Sequence, residues 1–169
     1  MRIKSFLVIG LVTFVTSFSL MTHVPQAQDQ SGSDTEEILT IHKDLLASHL
    51  RNNVAGVLKA EADKIVVVSR GEVLFPTKVE RAMQFERYLK NVQFEEYRDL
   101  ISPIVRVSRD GTLGWLIAQV RIVGTRMDSG GKSIPIESTW AWIELYEKRE
   151  GRWLRVGEVS NVRPPAPRE

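Results

Sequence analysis

Residues 104–123 read IVRVSRDGTLGWLIAQVRIV, and this stretch decides the fold class of the chain. Two runs of apolar and β-branched residues flank Asp110-Gly111, a pair that favours the positive φ angles of a tight hairpin turn. Gly130-Gly131 and Glu150-Gly151 interrupt the sequence further on in the same manner. The sequence therefore predicts an antiparallel meander of four strands, which cover residues 104–108, 113–123, 136–148 and 153–159.

The preceding half of the chain has the periodicity of helices. From Ile38 onward, apolar side chains recur at spacings of three and four residues, which is typical of an amphipathic helix. Asn53 is suited to cap a second, short helix. Thr77 is suited to cap a third helix, whose apolar face is formed by Val79, Met83, Phe85 or Glu86, and Leu89. We therefore expect three helices before the meander.

One further strand is predicted among these helices, because residues 64–69 form a β-branched run. Helices followed by a meander of strands indicate an α+β fold. We expect the N-terminal helices to pack on a strongly curved, mainly antiparallel sheet and to leave a cone-shaped interior. One domain over residues 36–163 is predicted, with a polar linker over 28–35 before it and a proline-rich tail over 164–169 after it.

The first 27 residues have the profile of a signal peptide. Arg2 and Lys4 form a short positive start, and residues 6–21 form an apolar run that is too short for a typical spanning helix. Cleavage is expected near Ala27, which would release the mature chain into the periplasm or outside the cell, so that the membrane is a partner only during export. Because Pro25 is unusual beside a cleavage site, an uncleaved N-terminal anchor is the alternative.

Charge and cysteine content exclude several classes of protein. The chain has 23 Lys and Arg residues, 21 Asp and Glu residues and no cysteine. Arg2 and Lys4 account for the whole positive excess, and a balanced remainder argues against nucleic acid as a partner, because phosphate binding requires clustered Lys and Arg. The lack of cysteine excludes disulfide scaffolds and thiolate metal sites. The sequence has no glycine-rich phosphate loop, and we predict no cofactor.

Several short segments of the mature chain carry a family resemblance. They are residues 41–46 with Asn52-Asn53, residues 66–71, the positions Arg81, Phe85, Tyr88 and Leu89, residues 105–111, Trp142 with residues 146–148, and residues 151–153 with 159–160. In order and spacing they resemble the nuclear transport factor 2-like superfamily, particularly its SnoaL-like and secreted bacterial branches. The resemblance implies a cone fold, homodimers formed through the outer sheet face, and a pocket between sheet and helices. Members include ketosteroid isomerase, cyclases, dehydratases and non-catalytic binders, so the fold does not decide the function.

His42 and His49 are the first candidates for chemistry. They lie seven residues apart and hence on one face of the first helix, among apolar residues that should face the core. Either imidazole could act as a base toward a bound substrate. The alternative is that both are core histidines satisfied by backbone or carboxylate partners. A metal site is not predicted, because helical ligands are expected at a spacing of four with a third ligand nearby.

The last strand offers a carboxylate to the same pocket. Alternation places Leu154, Val156, Glu158 and Ser160 on one side, and the two leading apolar residues indicate that this side faces inward. Glu158 is therefore a candidate base. The alternative for Glu137, Glu144 and Glu158 is a cross-strand ion pair with Arg106, Arg121 or Arg155.

Aromatic side chains complete the predicted pocket. The four tryptophans, Trp115, Trp140, Trp142 and Trp153, could wall a site for a flat apolar ligand, or they could fill the core and a dimer interface. Tyr88 and Tyr97 are candidate hydrogen-bond donors to a reacting oxygen. The predicted pocket comprises His42, His49, Trp115, Trp142, Glu158 and Ser160.

Two functions from different classes remain open at the level of sequence. The first is an exported, non-catalytic module that binds a small apolar molecule in its cone or a protein on its sheet. The second is a proton-transfer enzyme, such as an isomerase, cyclase or dehydratase, with His42, His49 or Glu158 as base and Tyr88 as donor. The enzyme requires that these side chains converge on one pocket.

Overall fold

The computed structural model describes residues 27–163. They form helices α1 (Ala27–Leu50), α2 (Val54–Val57) and α3 (Lys78–Leu89), and strands β1 (Glu61–Ser69), β2 (Glu72–Leu74), β3 (Val92–Asp99), β4 (Ile104–Val107), β5 (Leu113–Met127), β6 (Ser133–Arg149) and β7 (Arg152–Val162). The predicted signal peptide before Ala27 and the predicted tail over 164–169 lie outside the described residues. Within 27–163, no helix is both long and apolar enough to cross a membrane.

The two predicted capping residues begin their helices as expected. The Asn53 side chain accepts a hydrogen bond from the Gly56 amide at the start of α2, at 3.1 Å. Thr77 and Glu80 form a capping box at the start of α3, in which each side chain accepts a hydrogen bond from the other residue's amide. The predicted caps are confirmed.

Helix α1 begins earlier than the sequence predicts. The expected linker over residues 28–35 is instead helical, because α1 already begins at Ala27. Asp34, a residue typical of helix N-termini, is buried within this helix, and its carboxylate accepts hydrogen bonds from Lys148 and from the Trp153 indole. These contacts with the sheet stabilise a segment of low intrinsic helix propensity.

Helix α3 presents only part of its predicted apolar face to the core. Val79 and Met83 are exposed, whereas Arg81 and Leu89 are buried. The buried face follows Arg81 because its guanidinium pairs with Glu61 on β1, at 3.1 Å between Nε and Oε1. A buried ion pair therefore sets the orientation of this helix.

The seven strands form one curved sheet in the order β2-β1-β7-β6-β5-β3, with β4 pairing to the remaining part of β5. All strand pairs are antiparallel except β1 with β7, which is parallel. The four strands of the predicted meander are confirmed as β4 to β7. Strands β2 and β3 are additional, and β3 extends the sheet beyond β5. The α+β class with a mainly antiparallel sheet is thus confirmed.

The core lies between α1 and the concave face of the sheet. Alternate residues of β5 point into it, namely Leu116, Ala118, Val120 and Ile122. Helix α1 contributes Ile38, Leu45 and Leu46 from the opposite side. This packing places the polar residues of the same helix face, His42 and His49, against the sheet.

Candidate functional site

A cavity of about 860 Å³ lies between the concave sheet face and helices α1 and α3. Its walls are mainly apolar and aromatic, and they include Leu45, Val67, Leu74, Phe85, Val92, Ile122, Ile134, Ile136, Trp140 and Trp142. Its polar lining residues are His49, Ser69, Arg70, Glu72, Arg81, Tyr88, Tyr97, Arg126, Glu137, Ser138, Glu144, Arg155, Glu158 and Ser160. A largely apolar pocket with a few convergent polar groups is typical of a small-molecule site.

Strand β6 brings three of these side chains to the cavity by simple alternation. Trp140, Trp142 and Glu144 all line it, so the even-numbered side of β6 is the concave one. The sequence alone leaves the choice between the two sides of β6 open. The structure decides it through the packing of α1 over Trp142, whose ring is edge-on to His42 at 6.3 Å between centroids.

Strand β7 reaches the cavity through a β-bulge. Leu145 pairs with Gly157 and Tyr146 pairs with Arg155, so Val156 is an extra residue in the ladder. Arg155, before the bulge, and Glu158, after it, consequently both line the cavity. The predicted inward orientation of Glu158 and Ser160 agrees with the structure, but Leu154 and Val156 do not share it because the bulge changes the alternation.

Two glutamates face each other across β6 and β7, with an arginine between them. Glu144 and Glu158 are direct cross-strand partners, an arrangement that is repulsive for like charges. The Arg155 guanidinium lies 3.5 Å from the Glu144 carboxylate and 3.6 Å from that of Glu158. The predicted ion pair of these two glutamates with Arg155 is present, as is that of Glu137 with Arg121, at 2.9 Å.

The same arginine connects this pair to β1 and α3. Arg155 donates to Glu61 at 2.6 Å, and Arg81 pairs with both Glu61 and Glu158, at 3.1 and 3.5 Å. We refer to Glu61, Arg81, Glu144, Arg155 and Glu158 as the charged cluster. Glu61, Glu144 and Arg155 are almost completely buried, so each charge depends on the others for stabilisation.

His42 is fully buried behind the cavity wall and is held between two carboxylates. Its Nε2 lies 3.0 Å from Asp99 and its Nδ1 lies 3.6 Å from Glu144. Burial opposes protonation, but the Glu144 and Asp99 carboxylates outweigh it and raise the pKa of His42. Although burial opposes ionisation of Glu144, the adjacent His42 imidazole and the charge of Arg155 lower the pKa of Glu144.

His49 lies two turns further along α1 and lines the cavity. Its Nδ1 donates a hydrogen bond to the Leu45 carbonyl at 3.0 Å. Its ring stacks on Tyr97, with centroids 4.6 Å apart, and meets Phe85 edge-on. Burial, with the nearby positive charge of Arg155, lowers the pKa of His49 to about 4, so the ring is neutral at pH 7.

The structure brings together most of the predicted site, and it corrects two members. His49, Trp142, Glu158 and Ser160 line the cavity, as does Tyr88. His42 does not line it, because it lies between Asp99 and Glu144. Trp115 is on the convex side of β5, where it is 39% exposed, because inward positions on this strand are even-numbered. Among residues 27–163, no group of histidines and acids is placed to hold a metal ion.

Sequence reasoning missed two members of the charged cluster. Glu61 precedes the β-branched run of β1, and nothing in its position indicates burial. Arg81 is different, because its spacing of four and seven residues from Phe85 and Tyr88 places a charge on the buried face of α3. A charge in such a position requires a buried partner, and this signal could have indicated the cluster.

Comparison with known proteins gives matches at the level of structure. Neither a protein-family sequence model nor a curated protein matches the chain. A nuclear transport factor 2-like protein of unknown function from Pseudomonas putida KT2440 has a TM-score of 0.62 at 15% identity, covering 78% of this chain and 87% of that one. A nuclear transport factor 2-like protein from Cytophaga hutchinsonii has a TM-score of 0.59 at 16% identity, and the match covers 75% of this chain and 95% of that one. A ketosteroid isomerase-like protein from Erwinia carotovora atroseptica has a TM-score of 0.59 at 14% identity, and the match covers 78% of this chain and 98% of that one.

Identities this low indicate a shared fold, and the function has to be argued from the site. The similar structures cover most of their own length, so the match involves the whole α+β cone. The chain has the nuclear transport factor 2-like fold.

Proposed function

We propose that this chain is an exported, non-catalytic protein that binds a flat, apolar small molecule in its cavity. The observation that carries the proposal is the cavity itself, about 860 Å³ with aromatic walls. This volume is within the usual range of ligand pockets and accommodates a molecule of several fused rings. Trp140, Trp142 and Phe85 offer faces and edges against which such rings pack favourably.

The state of the carboxylates supports binding rather than catalysis. Glu144 and Glu158, which line the cavity, both contact the Arg155 guanidinium. The pKa of Glu144 is lowered although burial opposes its ionisation, so Glu144 is a weak base. His42, which could also have served as a base, contacts Asp99 and Glu144 from behind the cavity wall.

Fluorescence titration with N-phenyl-1-naphthylamine, an uncharged probe that brightens in apolar sites, tests the proposal. We expect about one probe molecule per chain and a raised Tm on binding. Ser160→Trp should weaken binding about tenfold or more, because Ser160 lines the cavity and the larger ring would occupy the ligand's space. Asn161→Trp is the matched control, since Asn161 is the next residue on β7 and is exposed. Equal binding by both variants would contradict a site in the cavity.

The position of His49 favours one alternative function, proton transfer. Its neutral ring lines the cavity, and Nε2 is free to accept a proton. A base here would remove a proton from a carbon next to a carbonyl group, leave the electron pair on the carbonyl oxygen as an enolate, and return the proton. In deuterium oxide, the enzyme would accelerate deuterium uptake by 2-tetralone, detected by NMR, and His49→Gln would abolish the acceleration. Binding without exchange supports the non-catalytic proposal.

Export is supported by the positive start and apolar run of residues 1–27. Expression in a bacterial host, followed by fractionation and mass spectrometry, tests it. We expect the protein in the periplasm or medium, with Gln28 as its first residue. A membrane-bound chain that begins at Met1 would instead indicate an uncleaved anchor.

Pairing with a second copy through the convex sheet face is a further part of the proposal. Trp115 and Leu145 lie opposite each other on β5 and β6, and Ile143 lies between Ile117 and Val159. We refer to these five side chains as the outer apolar stripe. Four of them are between 38% and 41% exposed. A contiguous exposed apolar patch of this kind is typical of an interaction surface.

A further inference from the structure

His49 presents to the cavity a hydrogen-bond acceptor whose orientation is fixed. Because Nδ1 of His49 carries the proton that it donates to the Leu45 carbonyl, Nε2 of the neutral ring carries a lone pair. Stacking on Tyr97 and the edge contact with Phe85 hold the plane of the ring. The acceptor is therefore preorganised.

This acceptor has no protein donor. Among residues 27–163, no group forms a hydrogen bond or ion pair with Nε2 of His49. The residue is 6% exposed and lines the cavity. A polar atom without a protein partner gains from a donor, and the cavity is the side from which a donor can come.

The surroundings of His49 do not suit an anionic donor group. The charged cluster contains two guanidinium groups and three carboxylates, so its net charge is negative when all five groups are ionised. The guanidinium groups of Arg81 and Arg155 are already paired with those carboxylates. An anion placed beside His49 would therefore lose its hydration without gaining an unpaired arginine from the charged cluster. Arg70 and Arg126, which also line the cavity, lie outside this cluster.

A cationic group is disfavoured beside His49 for a related reason. Burial and the positive charges of Arg155 and Arg81 oppose protonation of the imidazole. The same factors act on an ammonium group placed against Nε2. An uncharged donor, such as a hydroxyl group, meets neither penalty.

We propose that the cavity selects uncharged aromatic ligands that carry a hydroxyl group at their inner end, and that Nε2 of His49 accepts the hydrogen bond from this hydroxyl. The proposal rests on the proposed function, because it names the ligand class of the same cavity. It also predicts the orientation of the ligand. The apolar part lies among the aromatic walls, and the hydroxyl group points toward His49 on α1.

Three naphthalenes that differ in one substituent test this selection at pH 7. 2-Naphthol carries a hydroxyl group, 2-methoxynaphthalene lacks the donor, and 2-naphthoate carries an anion. We expect calorimetry to show 2-naphthol binding about tenfold more tightly than 2-methoxynaphthalene, as for one hydrogen bond to a buried acceptor, and 2-naphthoate binding most weakly. If 2-naphthoate binds most tightly, or if the two neutral compounds bind alike, the selection is wrong.

Variants of His49 test whether this residue causes the preference for 2-naphthol. His49→Phe keeps a ring for stacking and removes the acceptor, so the preference for 2-naphthol should disappear. In His49→Gln the amide oxygen is able to accept the same hydrogen bond, so part of the preference should return. Ile134→Ala, which removes part of the apolar wall, should weaken both neutral ligands alike. A preference that survives in His49→Phe would overturn the assignment of His49.

A measurement on the unmodified protein covers the case in which the variants do not fold. The ¹⁵N chemical shift of His49 Nε2 should move on addition of 2-naphthol and remain in place on addition of 2-methoxynaphthalene. No shift difference between the two bound states would contradict the hydrogen bond. If none of the three naphthalenes nor N-phenyl-1-naphthylamine binds, the proposed function fails as a whole. Unselective binding removes only the inference about the hydroxyl group.

Discussion

Two histidines on one face of α1 have opposite electrostatic environments. His42 lies between two carboxylates that raise its pKa, although burial opposes the change. His49 is buried near two arginines, and its pKa is lowered to about 4. Identical side chains seven residues apart are therefore expected to carry different charges at mildly acidic pH.

The lowered pKa of His49 predicts a loss of stability in acid. Between pH 6.5 and about 4, the unfolded chain binds a proton at this residue and the folded chain does not, so lowering the pH favours unfolding. The free-energy cost of His49→Gln, measured by urea denaturation, should be smaller at pH 5 than at pH 8 by about 2 kcal/mol.

For His42 we expect the opposite pH dependence of the free energy of unfolding. Its raised pKa gives a stabilising contribution that is complete below pH 6.5 and is lost as the pH rises through the folded-state pKa. The cost of His42→Gln should therefore be larger at pH 5 than at pH 8. Parallel pH profiles for the two variants would contradict both assignments.

Residue type and spacing identify part of the site, and long-range geometry decides the rest. The spacing of His42 and His49 correctly places both against the sheet. Asp99 on β3 and Glu144 on β6 hold His42 away from the cavity, whereas His49 lines it. Both acids are far from α1 in the sequence, so the sequence does not reveal these contacts. The convex position of Trp115 likewise follows from the register of β5, because one strand's alternation does not reveal which side is concave.

At the scale of elements, helix α1 is extended by a tertiary contact. Asp34 is 3% exposed and contacts Lys148 on β6 and the Trp153 indole on β7. This contact holds the first half of the helix against β6 and β7, the two central strands of the sheet. The residues around it include Gly32 and Ser33, which favour helices poorly on their own.

Neutralising Asp34 should therefore loosen this part of α1. We expect Asp34→Asn to lower the free energy of unfolding by about 2 kcal/mol, because the change weakens two hydrogen bonds to a buried charge. Glu37→Gln is the control, since it removes the same charge from an exposed position on the same helix. Hydrogen exchange should show faster amide exchange in the first turns of α1 for Asp34→Asn only. Equal stability of the two variants would contradict the role of the contact.

Elements with strong local signals were predictable, and those set by contacts were not. The glycine turns and the capping residues Asn53 and Thr77 mark their elements through backbone preferences that act within a few residues. Strand β2 has three residues, and β3 combines apolar and charged residues without clear alternation. Both form because neighbouring strands offer unpaired backbone groups, which is a property of the assembled sheet.

At the scale of the whole molecule, the cavity and the outer apolar stripe lie on opposite faces of one sheet. Glu144 points into the cavity, whereas Ile143 and Leu145 point away from it. A second copy bound to the stripe would therefore leave the cavity open to its ligand. Binding and dimer formation should be separable.

A substitution in the stripe tests this separation. Ile143→Arg should convert the expected dimer to a monomer in light-scattering measurements, because it places a charge between Ile117 and Val159. Binding of N-phenyl-1-naphthylamine should stay within about twofold of the unmodified protein. Val79→Arg, at an exposed apolar position on α3, should leave the mass unchanged. A monomeric unmodified protein would contradict pairing through the stripe.

The parallel pairing of β1 with β7 also determines when the chain can finish folding. Glu61 and Arg155 are 94 residues apart, yet they meet in a buried ion pair between these two strands. As the ribosome synthesises the chain, β1 has emerged long before β7 exists, and contacts of such sequence separation form late and slowly. Glu61 is able to pair with Arg81 once α3 has formed, but its second partner, Arg155, is absent until β7 has been synthesised. The charged cluster therefore cannot be complete before β7 joins the sheet.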